Sequence, residues 1–231
     1  MGDPFDRLLA RVPARGIRAK RPSITISYAQ SLDGSIASAS GKPLSLSSQE
    51  TLEMTHCLRA VHDAILVGIG TVLVDNPQLT VRHVDGENPQ PVILDTYLRT
   101  PNDASILEHP KPPLIATGST PNRERAEEIE QAGGRVLSFQ TRDDGLVELP
   151  ALMERLGQIG VTSVMVEGGT RVISSFLRDQ LADCMVITIA PSLVGGRHAV
   201  EDLSQDSMPR LGEPEWAAFG PDLVVWGEVE W

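Results

Sequence analysis

Glu167-Gly168-Gly169-Thr170 is the stretch with most chemistry in it. It lies between a short apolar run, Ser163 to Val166, that suits a buried strand, and a helical pattern that puts Val172, Ile173, Phe176 and Leu177 on one face. Two adjacent glycines at a strand-to-helix junction let the main chain turn sharply and approach a ligand closely, because no Cβ intervenes. A helix opening at Thr170 or Arg171 points unpaired N–H groups and the positive end of its dipole out of the sheet edge, which suits a phosphate. Glu167 projects into the same crevice. The plainer alternative is a tight turn beside a surface carboxylate, and the stretch alone does not choose.

Similar provision recurs along the chain. Ala64-Ile-Leu-Val-Gly68 is a continuous apolar run, as in a strand buried on both faces, and it leads into Gly68-Ile-Gly-Thr71. A Gly-x-Gly without a third glycine is no Rossmann fingerprint. It can still present main-chain N–H groups at Gly68 and Gly70, and the Thr71 hydroxyl, to a phosphate. Asp75-Asn-Pro-Gln-Leu-Thr-Val-Arg82 is too polar for a core strand and too patterned for a linker. Its Asp75, Thr80 and Arg82 either converge on a polyol phosphate or form a solvated loop with a local ion pair. Asp95, Thr96 and Arg99 follow the run from Pro91, and Gly118 and Ser119 follow the run from Pro113. Arg99 suits an extra phosphate on an adenosine ribose, hence NADP rather than NAD. Arg59, near the end of a helix, reads most simply as answering the dipole. Ser47 with Glu50 reads as a capping box. Asp33-Gly34 is a turn signal, with a mobile loop over a ligand as the functional alternative.

Several reaction classes are disfavoured. His56, His62, His83, His109 and His198 are scattered, Cys57 and Cys184 are far apart, and no metal-binding spacing occurs, so no metal site is expected. No Ser-His-Asp or Cys-His set is apparent. The net charge of −11 over 231 residues argues against nucleic acid and anionic membranes as partners. No apolar run has spanning length and no export leader is seen, so a cytoplasmic protein with free thiols is expected. Hydride transfer fits what remains, because it asks the protein for positioning while a cofactor carries the chemistry.

The elements that must position these residues follow from the apolar pattern. Residues 1–21 read as a leader, with Leu8, Leu9 and Val12 on one short helix, lying on the domain surface or on a partner subunit. Ser23 to Tyr28 alternates, with Ile24, Ile26 and Tyr28 opposite Ser23, Thr25 and Ser27, as a strand does. A helix is expected from Ser48 to Val61 with Met54, Leu58 and Val61 inward. Another runs from Pro121 to Ala132, closed by Gly133-Gly134. Then come a strand at Arg135–Phe139, a helix at Leu149–Gly157, a strand at Cys184–Ala190, an irregular stretch over 197–220, and a last strand from Leu223. Strands alternating with helices predict an α/β fold, one domain over 22–231, with a central mostly parallel sheet. The last two strands, with no helix between them, make an antiparallel edge. In such a sheet the carboxyl ends of the strands share one rim, where ligands bind. The loops there offer what an extended dinucleotide needs.

Five linked motifs carry a resemblance. They are Ala29-Gln-Ser-Leu-Asp-Gly34, Met54-Thr-His-Cys-Leu-Arg59, His62 to Leu73, Asp75 to Arg82, and Val164-Met-Val-Glu-Gly-Gly169. In this order they resemble the riboflavin-pathway pyrimidine reductases, over about residues 22–231. The resemblance implies the three-layer dihydrofolate-reductase-like fold, NADPH as cofactor, a phosphorylated pyrimidine as substrate, and a homodimer. It implies that Gly68, Gly70, Thr71, Gly168, Gly169 and Thr170 hold the cofactor's phosphates, with Thr96 and Arg99 towards its adenosine end. It gives Ser47, Arg59, Asp75, Leu79, Arg82 and Glu167 to the substrate, with Asp75 and Glu167 as the catalytic pair. Tyr28-Ala-Gln-Ser and Met54-Thr-His look more like the stand-alone fungal and archaeal enzymes, which act on the 2,5-diamino compound. The bacterial branch usually has lysine at the place of Ser27 and tryptophan at the place of Ser45, and acts on the deaminated compound. Reduction of another pterin, dihydrofolate included, and a non-catalytic NADP-binding module are the remaining alternatives.

Overall fold

Strand β2 (Arg21–Ser31) is central, and the rest of the sheet is built outward from it. The computed structural model describes residues 3–12, 17–18, 20–42, 44–203 and 208–231. In chain order the other strands are β1 (Ile17–Arg18), β3 (Ser35–Ala37), β4 (Ala64–Gly68), β5 (Gln90–Leu94), β6 (Leu114–Thr117), β7 (Arg135–Ser138), β8 (Ser163–Val166), β9 (Cys184–Ala190), β10 (Arg197–His198), β11 (Arg210–Phe219) and β12 (Asp222–Glu230). The helices are α1 (Pro4–Arg11), α2 (Gln49–Val61), α3 (Ile69–Asp75), α4 (Arg123–Gln131), α5 (Leu149–Gln158) and α6 (Thr170–Arg178). The main sheet has the order β11-β12-β9-β2-β8-β4-β5-β6-β7, with β1 beside β2. From β9 to β7 every neighbouring pair is parallel, whereas β9–β12 and β12–β11 are antiparallel. The mostly parallel sheet with an antiparallel C-terminal edge is the α/β architecture the sequence implies.

Helices cover both faces, so three layers form. One face buries Ile24, Ile26, Leu66, Val92, Val164 and Val166 with residues of α5 and α6. The other face buries Ile65, Val67, Ile93 and Ile115 with residues of α3 and α4. Met165, Val186, Val224 and Trp226 complete that second face against α1 and α2. No helix among the described residues is long and apolar enough to cross a membrane.

Both sides of β2 are buried, for Ser23, Thr25 and Ser27 lie inside as well and Thr25 Oγ1 bonds His62 Nε2, at the end of α2, at 3.0 Å. Three expectations need correcting. Val61 is half-turned out, 39 % exposed, so only Met54 and Leu58 of the expected trio reach the core. The cap of α2 is Ser48, not Ser47, and Glu50 does not reach back. Instead Asp222, from the start of β12, accepts the Ser48 N–H at 2.8 Å and the Thr51 hydroxyl at 2.6 Å. A carboxylate distant in sequence thus does the job a capping box gives to a local one. Finally, the stretch 197–220 is not irregular throughout. It holds the ten-residue β11, whose Pro214, Gly212 and surface carboxylates hid the strand pattern; residues 204–207 of that stretch lie outside the described residues.

The leader is in part core. Within it, residues 1–2, 13–16 and 19 lie outside the described residues. Leu8 is 0 % and Val12 4 % exposed, packed with Trp226, Met54 and Leu58. Arg7 and Arg11 hold α1 to β11 through Glu215, at 2.7 and 3.2 Å. Leu8→Ala is therefore expected to lower the unfolding free energy by about 2–5 kcal/mol in urea titration. A change within measurement error would mean α1 merely lies on the surface.

Candidate functional site

Strands β4 and β8 are parallel neighbours, with Leu66 opposite Val166. Their carboxyl ends therefore lie on one rim, and Gly68–Thr71 and Glu167–Thr170 open side by side. Val172 of α6 sits between the two turns. A Cβ added at Gly68 would lie 2.8 Å from Val172 Cγ2, and one at Gly168 would lie 2.5 Å from Val172 Cβ. These two glycines are required by the close seating of α6. Gly70 and Gly169 differ: a Cβ there would meet nothing within 4 Å. They leave main chain open on the outer side of the rim. Gly169 caps α6 with no side-chain hydrogen bond; the Val172 N–H turns back to the Gly169 carbonyl at 3.0 Å, while the Thr170 and Arg171 N–H groups bond no described residue and are left for a ligand. This donor set fits the phosphates of a dinucleotide. Thr170 contributes less than expected, because its hydroxyl donates to the His198 carbonyl at 2.6 Å.

Arg59 does not simply answer the helix dipole. It crosses from α2 to the end of β8 and pairs with Glu167 through two bonds, Nε to Oε1 at 2.7 Å and Nη2 to Oε2 at 2.6 Å. Its Nη1 donates to the Thr80 carbonyl at 3.1 Å. The side chains are 11 % and 17 % exposed, so this is a largely desolvated fork-to-fork pair. Two residues assigned to substrate thus hold each other. Each carboxylate oxygen keeps a free lone pair, and Arg59 keeps two N–H donors, so both can still meet a ligand.

The segment after α3 is pinned at successive positions, onto α2 through Thr80 and Arg82 and onto its own continuation through Val81. Thr80 gives its carbonyl to Arg59, the Val81 N–H goes to Asn88 Oδ1 at 2.7 Å, and the Arg82 N–H goes to His56 Nδ1 at 3.1 Å. The Arg82 guanidinium is exposed and donates to Thr80 Oγ1 at 3.0 Å. Leu79 has a left-handed φ of 55° and its side chain is 2 % exposed, so a ligand here can meet only its main chain. Asp75 ends α3, exposed, with its carboxyl raised above the ordinary range by desolvation. Ser47 is partly buried, and its side chain bonds no described residue.

Just beyond the end of the neighbouring β5, Thr96 turns its carbonyl inward to the Thr117 hydroxyl and the Gly118 N–H, at 2.9 and 3.2 Å. Arg99 is exposed and bonds no described residue. At the far side of the rim, Asp33 does more than turn the chain. Its carboxylate accepts from Ser31 and Ser35 hydroxyls and from the Val194 and Gly195 N–H groups, at 2.5 to 3.0 Å. The Ser31 hydroxyl first, then the two main-chain donors, hold this carboxyl below the usual carboxylate range. It fastens the 192–196 loop to the end of β2. Reading the sequence missed this clasp and missed His56, although His56 stands three residues before Arg59, on the same side of a helix.

Two outcomes follow. Gly68→Ala should cost about 1–3 kcal/mol by pushing α6 off the rim, and Val172→Ala in the same chain, which removes the Cγ2 it would strike, should restore part of it, as thermal unfolding can read. No restoration would separate the glycine from Val172. Asp33 has a folded pKa below its unfolded value, so its stabilising contribution is complete above about pH 4 and fades as pH falls below that. Between about pH 4 and pH 2, the Tm of Asp33→Asn should therefore fall less steeply than that of the wild type. Parallel slopes would show that the clasp is not ionic.

The geometry can be set beside known proteins. The profile of the RibD C-terminal domain matches residues 22–225. The 2,5-diamino-6-ribosylamino-4(3H)-pyrimidinone 5′-phosphate reductase of Methanothermobacter thermautotrophicus is 37 % identical over 214 residues, covering 89 % of this chain and 97 % of that one. The riboflavin biosynthesis protein RibD of Aquifex aeolicus is 34 % identical over 213 residues, and there the match spans only 58 % of the relative's length. The solved riboflavin biosynthesis reductase Rib7 of Saccharomyces cerevisiae superposes with a TM-score of 0.76 at 31 % identity, covering 93 % of this chain and 92 % of that one. With the shared rim, the glycine turns and the profile match over nearly the whole chain, this protein belongs to the RibD C-terminal domain family.

Proposed function

We propose that this chain is an NADPH-dependent reductase that converts the ribosylamino side chain of a pyrimidine 5′-phosphate to ribitylamino, acting on the 2,5-diamino compound. The single observation that carries the reading is the adjacency of two kinds of provision on one rim. The open main chain at Gly70 and Gly169 suits a dinucleotide's phosphates, and Arg59, Glu167 and Arg82 stand beside it for a phosphorylated, amino-bearing substrate. The relative named for the diamino substrate in Methanothermobacter thermautotrophicus matches over 97 % of its length, which favours that substrate over the deaminated one. Arg99, exposed beside Thr96, suits the extra phosphate that distinguishes NADPH from NADH.

A nicotinamide cofactor bound here would supply a hydride. The chain's own residues do the rest. The turns at Gly68 and Gly168 fix the phosphates by N–H donors, so the cofactor lies along the rim. Arg82 holds the substrate phosphate with the part of its fork that Thr80 leaves free. Glu167 accepts from the pyrimidine amino groups while Arg59 fixes its plane. Opening the sugar moves a proton from the exocyclic nitrogen to the ring oxygen and leaves an imine at C1′. Hydride addition at C1′ then calls for a proton at the nitrogen. Asp75, whose carboxyl is raised by desolvation, suits that proton transfer. A homodimer fits the exposed Trp216 and Trp231 at the antiparallel edge, and a monomer mass in sedimentation would remove it.

The test is NADPH oxidation with the 2,5-diamino and the deaminated ribosylamino phosphates offered separately. The diamino compound should turn over faster. Asp75→Asn and Glu167→Gln should each lower kcat/KM at least roughly tenfold, the loss of one charged hydrogen bond. Wild-type rates in both variants would remove the site assignment, and preference for the deaminated compound would move the chain to the bacterial branch.

A further inference from the structure

His56 is the buried polar residue that the proposed mechanism leaves unused. It is 0 % exposed, one turn before Arg59 on α2. Its Nδ1 lies 3.1 Å from the Arg82 nitrogen and accepts that N–H. A neutral ring that accepts at Nδ1 must carry its proton on Nε2, and Nε2 is buried with no hydrogen-bond partner among the described residues. His83 stands edge-on to it, ring centroids 4.5 Å apart and planes at 68°. Burial first, then the nearby Arg59, His83 and Arg82, lower the His56 pKa to about 4, so the ring is neutral near pH 7 and the accepting nitrogen is kept. A buried ring with one unpaired N–H is costly, and an apolar residue of similar size would avoid that cost. The remaining bond, to Arg82, is what the histidine specifically provides.

We propose that His56 is a positioning residue for Arg82: its Nδ1 fixes the main chain there, so that the exposed guanidinium is presented at one place for an anionic sugar phosphate. The segment's other polar contacts set the context. The Thr80 carbonyl is held by Arg59 and the Val81 N–H by Asn88, so the Arg82 N–H is the next link in a chain of anchors. Further on, a Cβ at Gly86 would lie 2.5 Å from the Ala60 Cβ, so the segment beyond also lies flat on α2. Without the His56 acceptor, the peptide between Val81 and Arg82 is free to rotate, and the guanidinium loses its register with Thr80. The proposal rests on the reading of Arg82 as a phosphate holder and is tested independently of turnover.

Three proteins decide it: wild type, His56→Leu, which fills the space without an acceptor, and His56→Asn, whose Oδ1 falls near the place of Nδ1. Ribose 5-phosphate binding is measured by titration calorimetry, and NADPH oxidation with the ribosylamino phosphate gives KM and kcat. His56→Leu should weaken ribose 5-phosphate roughly tenfold and raise the substrate KM by a similar factor, the worth of about one hydrogen bond. Its kcat and its KM for NADPH should stay within twofold of wild type, and His56→Asn should recover most of the affinity. Unchanged ribose 5-phosphate affinity in His56→Leu overturns the proposal. So does an equally weak His56→Asn, a matching fall in kcat and NADPH affinity that marks a merely structural role, or a wild type that does not bind ribose 5-phosphate. Binding as expected with no turnover leaves the proposal standing and overturns the assigned reaction.

Discussion

The paired bonds between Arg59 and Glu167 tie the site together. They join the last turn of α2 to the carboxyl end of β8, and through the Thr80 carbonyl they also reach the segment after α3. Both partners are largely removed from water, so neither charge can be left alone there without a desolvation penalty of several kcal/mol. The pair thus fixes the distance between α2 and the sheet on the side of the two glycine turns. The flat geometry of guanidinium and carboxylate also fixes the plane in which Glu167 lies. A lysine would give the charge without the plane.

The same logic recurs with aspartates. This chain carries a net charge of −11, yet several of its carboxylates do not simply decorate the surface. Asp222 receives the N-terminus of α2, Asp33 receives the 194–195 loop, Asp95 receives Thr100, and Asp63 receives Thr162 and Ser163. Each takes main-chain N–H groups that no regular element could satisfy. Charge-assisted bonds of this kind hold loops in place where apolar packing is sparse. Asp33 and Asp95 thus hold loops at the rim and Asp63 ties the amino ends of β4 and β8 at the opposite edge, while the rim's outer side presents N–H donors and arginines.

Much of this was legible in the chain. The apolar runs at Ala64–Gly68, Ser163–Val166 and Cys184–Ala190 are strands, because short β-branched stretches bounded by glycine or proline have few other uses. The glycine pair at 168–169 does open a helix. Less legible were places where a distant partner overrides the local pattern. Ser47 and Glu50 made a plausible capping box, but Asp222 shifted the cap by one residue. The ten residues of β11 lacked an apolar stripe because the strand lies at the sheet edge, where packing demands little of its sequence.

The sequence by itself determined the order of strands and helices, the parallel sheet with its antiparallel end, and which turns carry glycine, hydroxyl or arginine. Those properties follow from periodicity and main-chain sterics, which act over a few residues. Only the tertiary structure decided that β4 and β8 are neighbours, that Val172 needs two glycines, that Arg59 and Glu167 face each other, and that His56 holds Arg82. These depend on groups tens of residues apart being brought within 3 Å or so of each other, and hydrogen bonds at that range depend on distance and angle too steeply for spacing along the chain to reveal them.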